Sequence, residues 1–253
     1  MTPAGRRSCW AALPTAVLVV GALTAGASAQ DDAQARTATC GGQRYSYTLE
    51  TPASAGDGAP RPAILLLRGA GGCGAGMLAA WRPTAARERL VLIAPDLPTS
   101  AAFEPVAPAV FRCMVADARR VAAIDSARVY LSGYSMGGYL AFDGALLAGD
   151  VFAGAAVYGA AIADEYAGIV DSASRRPPFA LYIGDHDAFY STAQVRRTRD
   201  LLAARGFPVR YVEFPNQDHA YASVAAQLNA DAWAYLGAQP PPAPVRRSAS
   251  PAP

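Results

Sequence analysis

The stretch Val129-Tyr130-Leu131-Ser132-Gly133-Tyr134-Ser135-Met136-Gly137-Gly138-Tyr139-Leu140 decides how the rest of the chain is read. Val129 to Leu131 suits a buried strand, and a helical pattern begins directly after the glycines. Between them lies Gly133-x-Ser135-x-Gly137, a G-x-S-x-G turn in the strand–turn–helix setting that a nucleophile elbow requires. So tight a turn strains the serine backbone and crowds the positions two residues to either side, which is why both are glycine. It lifts Ser135 Oγ out at the carboxyl end of the sheet. The first amides of the following helix, and its positive end, point at the same place. A plain strand-to-helix turn also needs small residues. The flanking elements and the partners downstream favour the catalytic reading.

Of the 253 residues, 52% are hydrophobic and 17% charged, enough for one sizeable core. The formal net charge is +2, and Arg6 and Arg7 fall in a segment expected to be removed. A near-neutral chain speaks against nucleic acid or an anionic membrane as main partner. All basic residues are arginine, which with the heavy alanine use reads as nucleotide bias.

Residues 1–29 read as a secretory signal peptide: Arg6-Arg7, an apolar run from Ala11 to Ala25, then Ala27-Ser28-Ala29 as an A-x-A cleavage site. The apolar run is shorter than the roughly 20 residues that span a bilayer, so no membrane anchor is expected. The expected domains are this peptide, a catalytic domain over 30–238, and a disordered proline-rich tail over 239–253. The exported chain would be secreted, extracellular or periplasmic.

Within the domain, Gln30 to Thr39 reads as loose, and Arg44 to Glu50 as an edge strand with Tyr45, Tyr47 and Leu49 on one face. Continuous apolar runs at Ala63–Leu67 and Leu90–Ala94 suit strands buried on both faces. Met77–Glu88 reads as a weak helix interrupted by Pro83, and Val110–Ile124 as a helix. Strands at 152–158, 179–183 and 209–214 alternate with helices at 192–205, ended by Gly206, and at 221–236. Alternating strands and helices mean a three-layer α/β domain with a mostly parallel sheet. Only the segment from Gly159 to Pro178 could hold a lid, and it is short.

A serine nucleophile needs a base, and the base an orienting acid. Of two histidines, His219 lies in the loop between the last strand and last helix, on the elbow's face of the sheet. The acid is expected in the loop after the preceding strand, Gly184-Asp185-His186-Asp187. Asp187 is the first choice and Asp185 the second. His186 is a loop residue, and Asp218, Asp164 and Glu165 rank lower. The oxyanion donors are expected to be the amides of Met136, after the nucleophile, and Ala70 in the glycine-rich loop Arg68 to Gly72. That loop lacks the G-K-[ST] of a nucleotide-phosphate loop and the acidic partner of a dinucleotide site. No cofactor is implied, and the histidines and cysteines give no metal-ligand spacing.

From Cys40 to about Leu236 the chain resembles the α/β-hydrolase superfamily. Within it the resemblance is to secreted polyhydroxybutyrate depolymerases and feruloyl esterases. It rests on Arg44-Tyr45, the glycine loop, Trp81 ahead of Ile93-Ala94-Pro95-Asp96, and Ile124-Asp125-x-x-Arg128-Val129-Tyr130. The elbow, Phe152-Ala153-Gly154, Gly184-x-x-Asp187 and His219 complete it. The resemblance implies Asp187 as the acid. It departs at Arg68-Gly69, where the family usually has His-Gly, which puts substrate contacts near Arg68 in question. The function it implies is a serine carboxylester hydrolase with a Ser135–His219–Asp187 triad, acting on short-chain, aromatic or polymer-borne esters. The alternatives are a peptidase or acyltransferase on the same residues, or a non-catalytic binding protein with this fold. Oligomeric state is left open.

Three cysteines remain after the signal peptide, so at most one internal bridge forms. Cys73 and Cys113 both fall toward the active-site end, and Cys40 toward a sheet edge. The expectation is therefore a Cys73–Cys113 bridge with Cys40 free.

Overall fold

The structure is a computed structural model that describes residues 32–52, 58–98, 104–240 and 242. The expected signal peptide, and all of the expected tail except residues 239, 240 and 242, lie outside them. The strands are β1 (Asp32–Cys40), β2 (Gln43–Thr51), β3 (Arg61–Leu67), β4 (Val91–Pro95), β5 (Ile124–Tyr134), β6 (Gly154–Tyr158), β7 (Phe179–Gly184) and β8 (Val209–Phe214). The helices are α1 (Gly74–Glu88), α2 (Ala107–Ala118), α3 (Met136–Leu147), α4 (Thr192–Ala204) and α5 (Tyr221–Gly237).

The eight strands form one sheet in the order β1-β2-β4-β3-β5-β6-β7-β8. β3 to β8 run parallel, and β1 and β2 are antiparallel to their neighbours. Side chains alternate across it. Val129 and Leu131 of β5 join one core with α2, α3 and α4, while Tyr130 joins a second core with α1 and α5. This is the three-layer α/β-hydrolase architecture. The segment between β6 and β7 holds only a short 3₁₀ helix, Asp164–Ser172, and no large lid.

Four features depart from the sequence reading. Residues 32–40 are a full strand, because Gly41 and Gly42, at φ 58° and 81°, close a two-residue hairpin that lays them along β2. Pro83 lies inside α1 without breaking it. A proline in a helix interior costs about 3 kcal/mol. The burial of Met77, Leu78, Trp81 and Ala85 in the α1–α5 core offsets that cost. α2 ends at Ala118 rather than running to Ile124. Val121 is half exposed, and Ile124 opens β5.

The fourth correction concerns the disulfide. Cys40 bonds Cys113, and Cys73 is free. Cys73 caps α1 and Cys113 sits in α2, and these helices cover opposite faces of the sheet. Both cysteines stand toward the same end of the strands, but the sheet lies between them. α2 packs across β1, bringing Cys113 Sγ to 3.4 Å from Thr39 O, beside the buried Cys40.

Candidate active site

The elbow sits where β5 gives way to α3. Ser135 has φ 54° and ψ −120°, a strained conformation for a residue with a side chain. A Cβ on Gly133 would stand 2.1 Å from Gly137 O, and one on Gly137 2.1 Å from Leu67 O. The turn therefore closes only with glycine at both positions. The Ser135 carbonyl accepts from Gly138 N at 2.8 Å and Tyr139 N at 3.1 Å, opening α3, and Met136 is that helix's first residue. Beneath the turn, Trp81 Nε1 donates to Ser132 Oγ at 3.1 Å, tying β5 to α1.

The residues expected as acid and base come together from the loops after β7 and β8. His219 Nδ1 lies 2.6 Å from Asp187 Oδ2. The Asp187 carboxylate is fully buried, and its other oxygen accepts from the Phe189 and Tyr190 amides at 2.8 and 2.9 Å. These two amides and the imidazole fix the orientation of the carboxylate. A proton on Nδ1, donated to this carboxylate, leaves Nε2 free to act as a base. Asp185 instead accepts from Gln217 N at 3.3 Å, and with Asp185 N on Phe214 O and His186 N on Gln217 O it fastens the two loops together. Asp218 accepts from Ala220 N, Asp164 is largely exposed beside Arg197, and His186 and Glu165 are exposed.

β6 joins Ser135 to this pair. Ser135 N donates to Tyr158 O at 3.0 Å, and the next residue, Gly159, faces the imidazole. Gly159 has φ 61°, and a Cβ there would stand 2.9 Å from His219 Nδ1 and 3.2 Å from Asp187 Oδ2. The position therefore requires glycine on both counts. Sequence reasoning missed it, although its place directly after a buried strand on the elbow's side was a signal. It also missed the aromatic setting. The Tyr134 ring lies 5.1 Å from the His219 ring and 5.6 Å from Tyr221, nearly parallel to the latter. Tyr158 OH donates to Asp218 O at 2.5 Å, holding the histidine loop down. Burial, then the Asp187 and Asp218 charges, raises the Tyr134 and Tyr158 phenols above their ordinary range. The Phe189 ring lies 4.6 Å from the His219 ring, tilted by 43°, and is 74% exposed.

The glycine-rich loop approaches from β3. A Cβ on Gly69 would meet the Tyr134 ring at 2.7 Å and Ser135 Cβ at 3.4 Å, so this backbone lies directly against the elbow. Ala70 is exposed, and among the described residues its N–H has no hydrogen-bond acceptor. No group of three or more metal-ligating side chains occurs among the described residues, and none of their helices is long and apolar enough to cross a membrane.

A search of curated proteins finds no sequence match. Solved structures are similar in fold. One is the S-formylglutathione hydrolase FrmB of Staphylococcus aureus, at 17% identity and TM-score 0.69, covering 85% of this chain and 99% of that one. A second is FphF of the same organism, a fluorophosphonate-binding serine hydrolase, at 16% and 0.66, covering 81% and 98%. A third is a thermostable esterase, at 19% and 0.66, covering 81% and 62%. The dienelactone hydrolase family model matches residues 101–237, more than half of the chain, and the chain therefore belongs to the dienelactone hydrolase family.

Proposed function

We propose that the chain is a secreted serine carboxylester hydrolase, working through an acyl-enzyme on Ser135. The carrying observation is the strained Ser135 at the head of α3, in one corner with a buried Asp187 carboxylate 2.6 Å from His219. In this reading His219 Nε2 takes the Ser135 hydroxyl proton as Oγ attacks the ester carbonyl. Asp187 holds the imidazole tautomer and stabilises the imidazolium. The Met136 and Ala70 amides hold the oxyanion. The imidazolium gives its proton to the departing alkoxide. A water, deprotonated by His219, then attacks the acyl carbon, and the acid leaves as Ser135 regains its proton.

The lack of a large lid supports a substrate class. The β6–β7 segment carries no large lid, and the exposed Phe189 ring lies beside His219. Short-chain, aromatic or polymer-borne esters fit such a site, and the resemblance to polyhydroxybutyrate depolymerases and feruloyl esterases points the same way. The Cys40–Cys113 bridge and the reading of residues 1–29 support export. A panel of esters tests the reading. Turnover is expected on soluble acetyl, butyryl and aromatic acyl esters, without activation at an oil–water interface. A steep rise in rate above the solubility limit of a long-chain ester, or no ester turnover at all, would overturn it.

A further inference from the structure

Arg68 stands at the start of the glycine loop, and its guanidinium is occupied by main-chain oxygens. Nη1 donates to Gly69 O at 3.1 Å and Nη2 donates to Leu97 O. Gly69 O also accepts from Gly72 N at 3.2 Å, closing a turn whose third residue, Gly71, has φ 72°. Gly69 O and the Ala70 N–H belong to one peptide unit, which is planar and trans, so they point in opposite directions. Two donors that fix the oxygen therefore also fix where the Ala70 N–H points. At the far end of the loop, Gly74 N donates to Asp96 Oδ1 at 3.1 Å. The loop is thus tethered at both ends to the segment after β4, once by Arg68 and once by Asp96.

We propose that Arg68 is a positioning residue. By clamping Gly69 O and Leu97 O, it aims the Ala70 amide at the oxyanion and does not touch the substrate itself. The inference rests on Ala70 being the second oxyanion donor. A planar fork with several donors can hold two carbonyls at once, whereas a lysine ammonium on a flexible stem holds them less well. The role is one of aim, so it belongs to the transition state rather than to ground-state binding.

The test compares Arg68→Ala and Arg68→Lys with the wild-type enzyme on a soluble butyryl ester. It also measures inhibition by a boronic acid, which forms a tetrahedral adduct on the serine. Removing an oxyanion donor costs about 10²–10³ in kcat, and a misaimed donor costs less. Arg68→Ala is expected to lose roughly 10- to 100-fold in kcat with KM within about twofold. Boronic acid affinity should weaken by a similar factor, and Arg68→Lys should recover part of both. Fluorophosphonate titration should still count one active site per chain. Wild-type kcat in Arg68→Ala, a raised KM at unchanged kcat, or a rate loss matched by lost titratable sites would each overturn the proposal. Ser135→Ala, run alongside, separates the two readings. If it keeps its activity, the serine mechanism fails. If it is dead while Arg68→Ala is normal, only the role of Arg68 fails.

Discussion

The two edges of the sheet are built by different means. At the β1–β2 edge, side chains do the fastening. Cys40 is bonded to Cys113, Tyr47 OH donates to Asp117 Oδ2 at 2.6 Å, and Arg36 and Arg120 flank that carboxylate. The β7–β8 edge has side-chain ties too, Arg196 to Glu213 and both Arg210 and Tyr182 to Asp231, but the loops that carry Asp187 and His219 are joined by close main-chain fits. A Cβ on Gly184 would stand 2.2 Å from Gln217 O, and backbone bonds run from Asp185 to Phe214 and from His186 to Gln217. The first edge holds the fold together away from the chemistry. The second sets, by close main-chain fits, where Asp187 and His219 meet. Damage to the first should therefore cost stability and spare rate, and damage to the second should do the reverse.

The sharpest way to break this contrast is at the acid. Asp187→Asn should lower ester turnover about a thousandfold or more, because an amide no longer fixes the histidine tautomer. Asp185→Asn, on the same loop, should cost only severalfold. Steady-state kinetics on both variants decide, and the reverse ranking would move the acid. Next in size is Gly159→Ala. Its Cβ has no room beside His219 and its φ is left-handed, so kcat should fall roughly 10- to 100-fold, the scale of a misplaced catalytic group. The melting temperature should move little by comparison.

At the other edge the effects pass to stability. Replacing Cys40 and Cys113 together by serine opens a loop with a sequence separation of 73. Chain-entropy arguments put the loss at about 2–4 kcal/mol, read as a lower denaturation midpoint, with kcat within about twofold. A bridge to Cys73 in unreduced peptide maps would contradict the assignment. The smallest effect is at Tyr47. Burial first, then Asp117, pushes its phenol up to about 12. The unfolded value is near 10, so the folded state holds its proton more tightly. The stability this gives is complete below about pH 10 and lost as pH rises toward about 12. Tyr47→Phe should be less stable at neutral pH, and its deficit should shrink across that interval in urea titrations.

The site edge was legible in the sequence because its residues follow the order of strands in a parallel sheet. A G-x-S-x-G after an apolar strand, a histidine before the last helix and an aspartate one loop earlier all fall at the carboxyl end of a parallel sheet, where the structure brings them together. The parallel strands were legible too, since burial on both faces leaves only apolar runs. The other edge was not, because its signals are generic. β1 is written in alanine, threonine and glutamine, and it becomes a strand only through the Gly41-Gly42 turn and its pairing with β2. Pro83 argued for a break that tertiary burial overrode. The cysteine pairing went wrong because position along the strands was considered and the sheet between the two helical layers was not. Gly159 and Arg68 were visible as letters, but their roles depend on backbone proximity, which no local pattern carries.

The central claim is that Ser135 is the residue acylated during turnover. Its most direct test is mass spectrometry of the purified protein after reaction with a fluorophosphonate. The account predicts one adduct per chain, mapped to the peptide that carries Ser135, blocked by prior incubation with a good ester substrate. Ser135→Ala should take no label and lose turnover by several powers of ten. An adduct at another residue, or a Ser135→Ala enzyme retaining more than about a tenth of the wild-type rate, would contradict it.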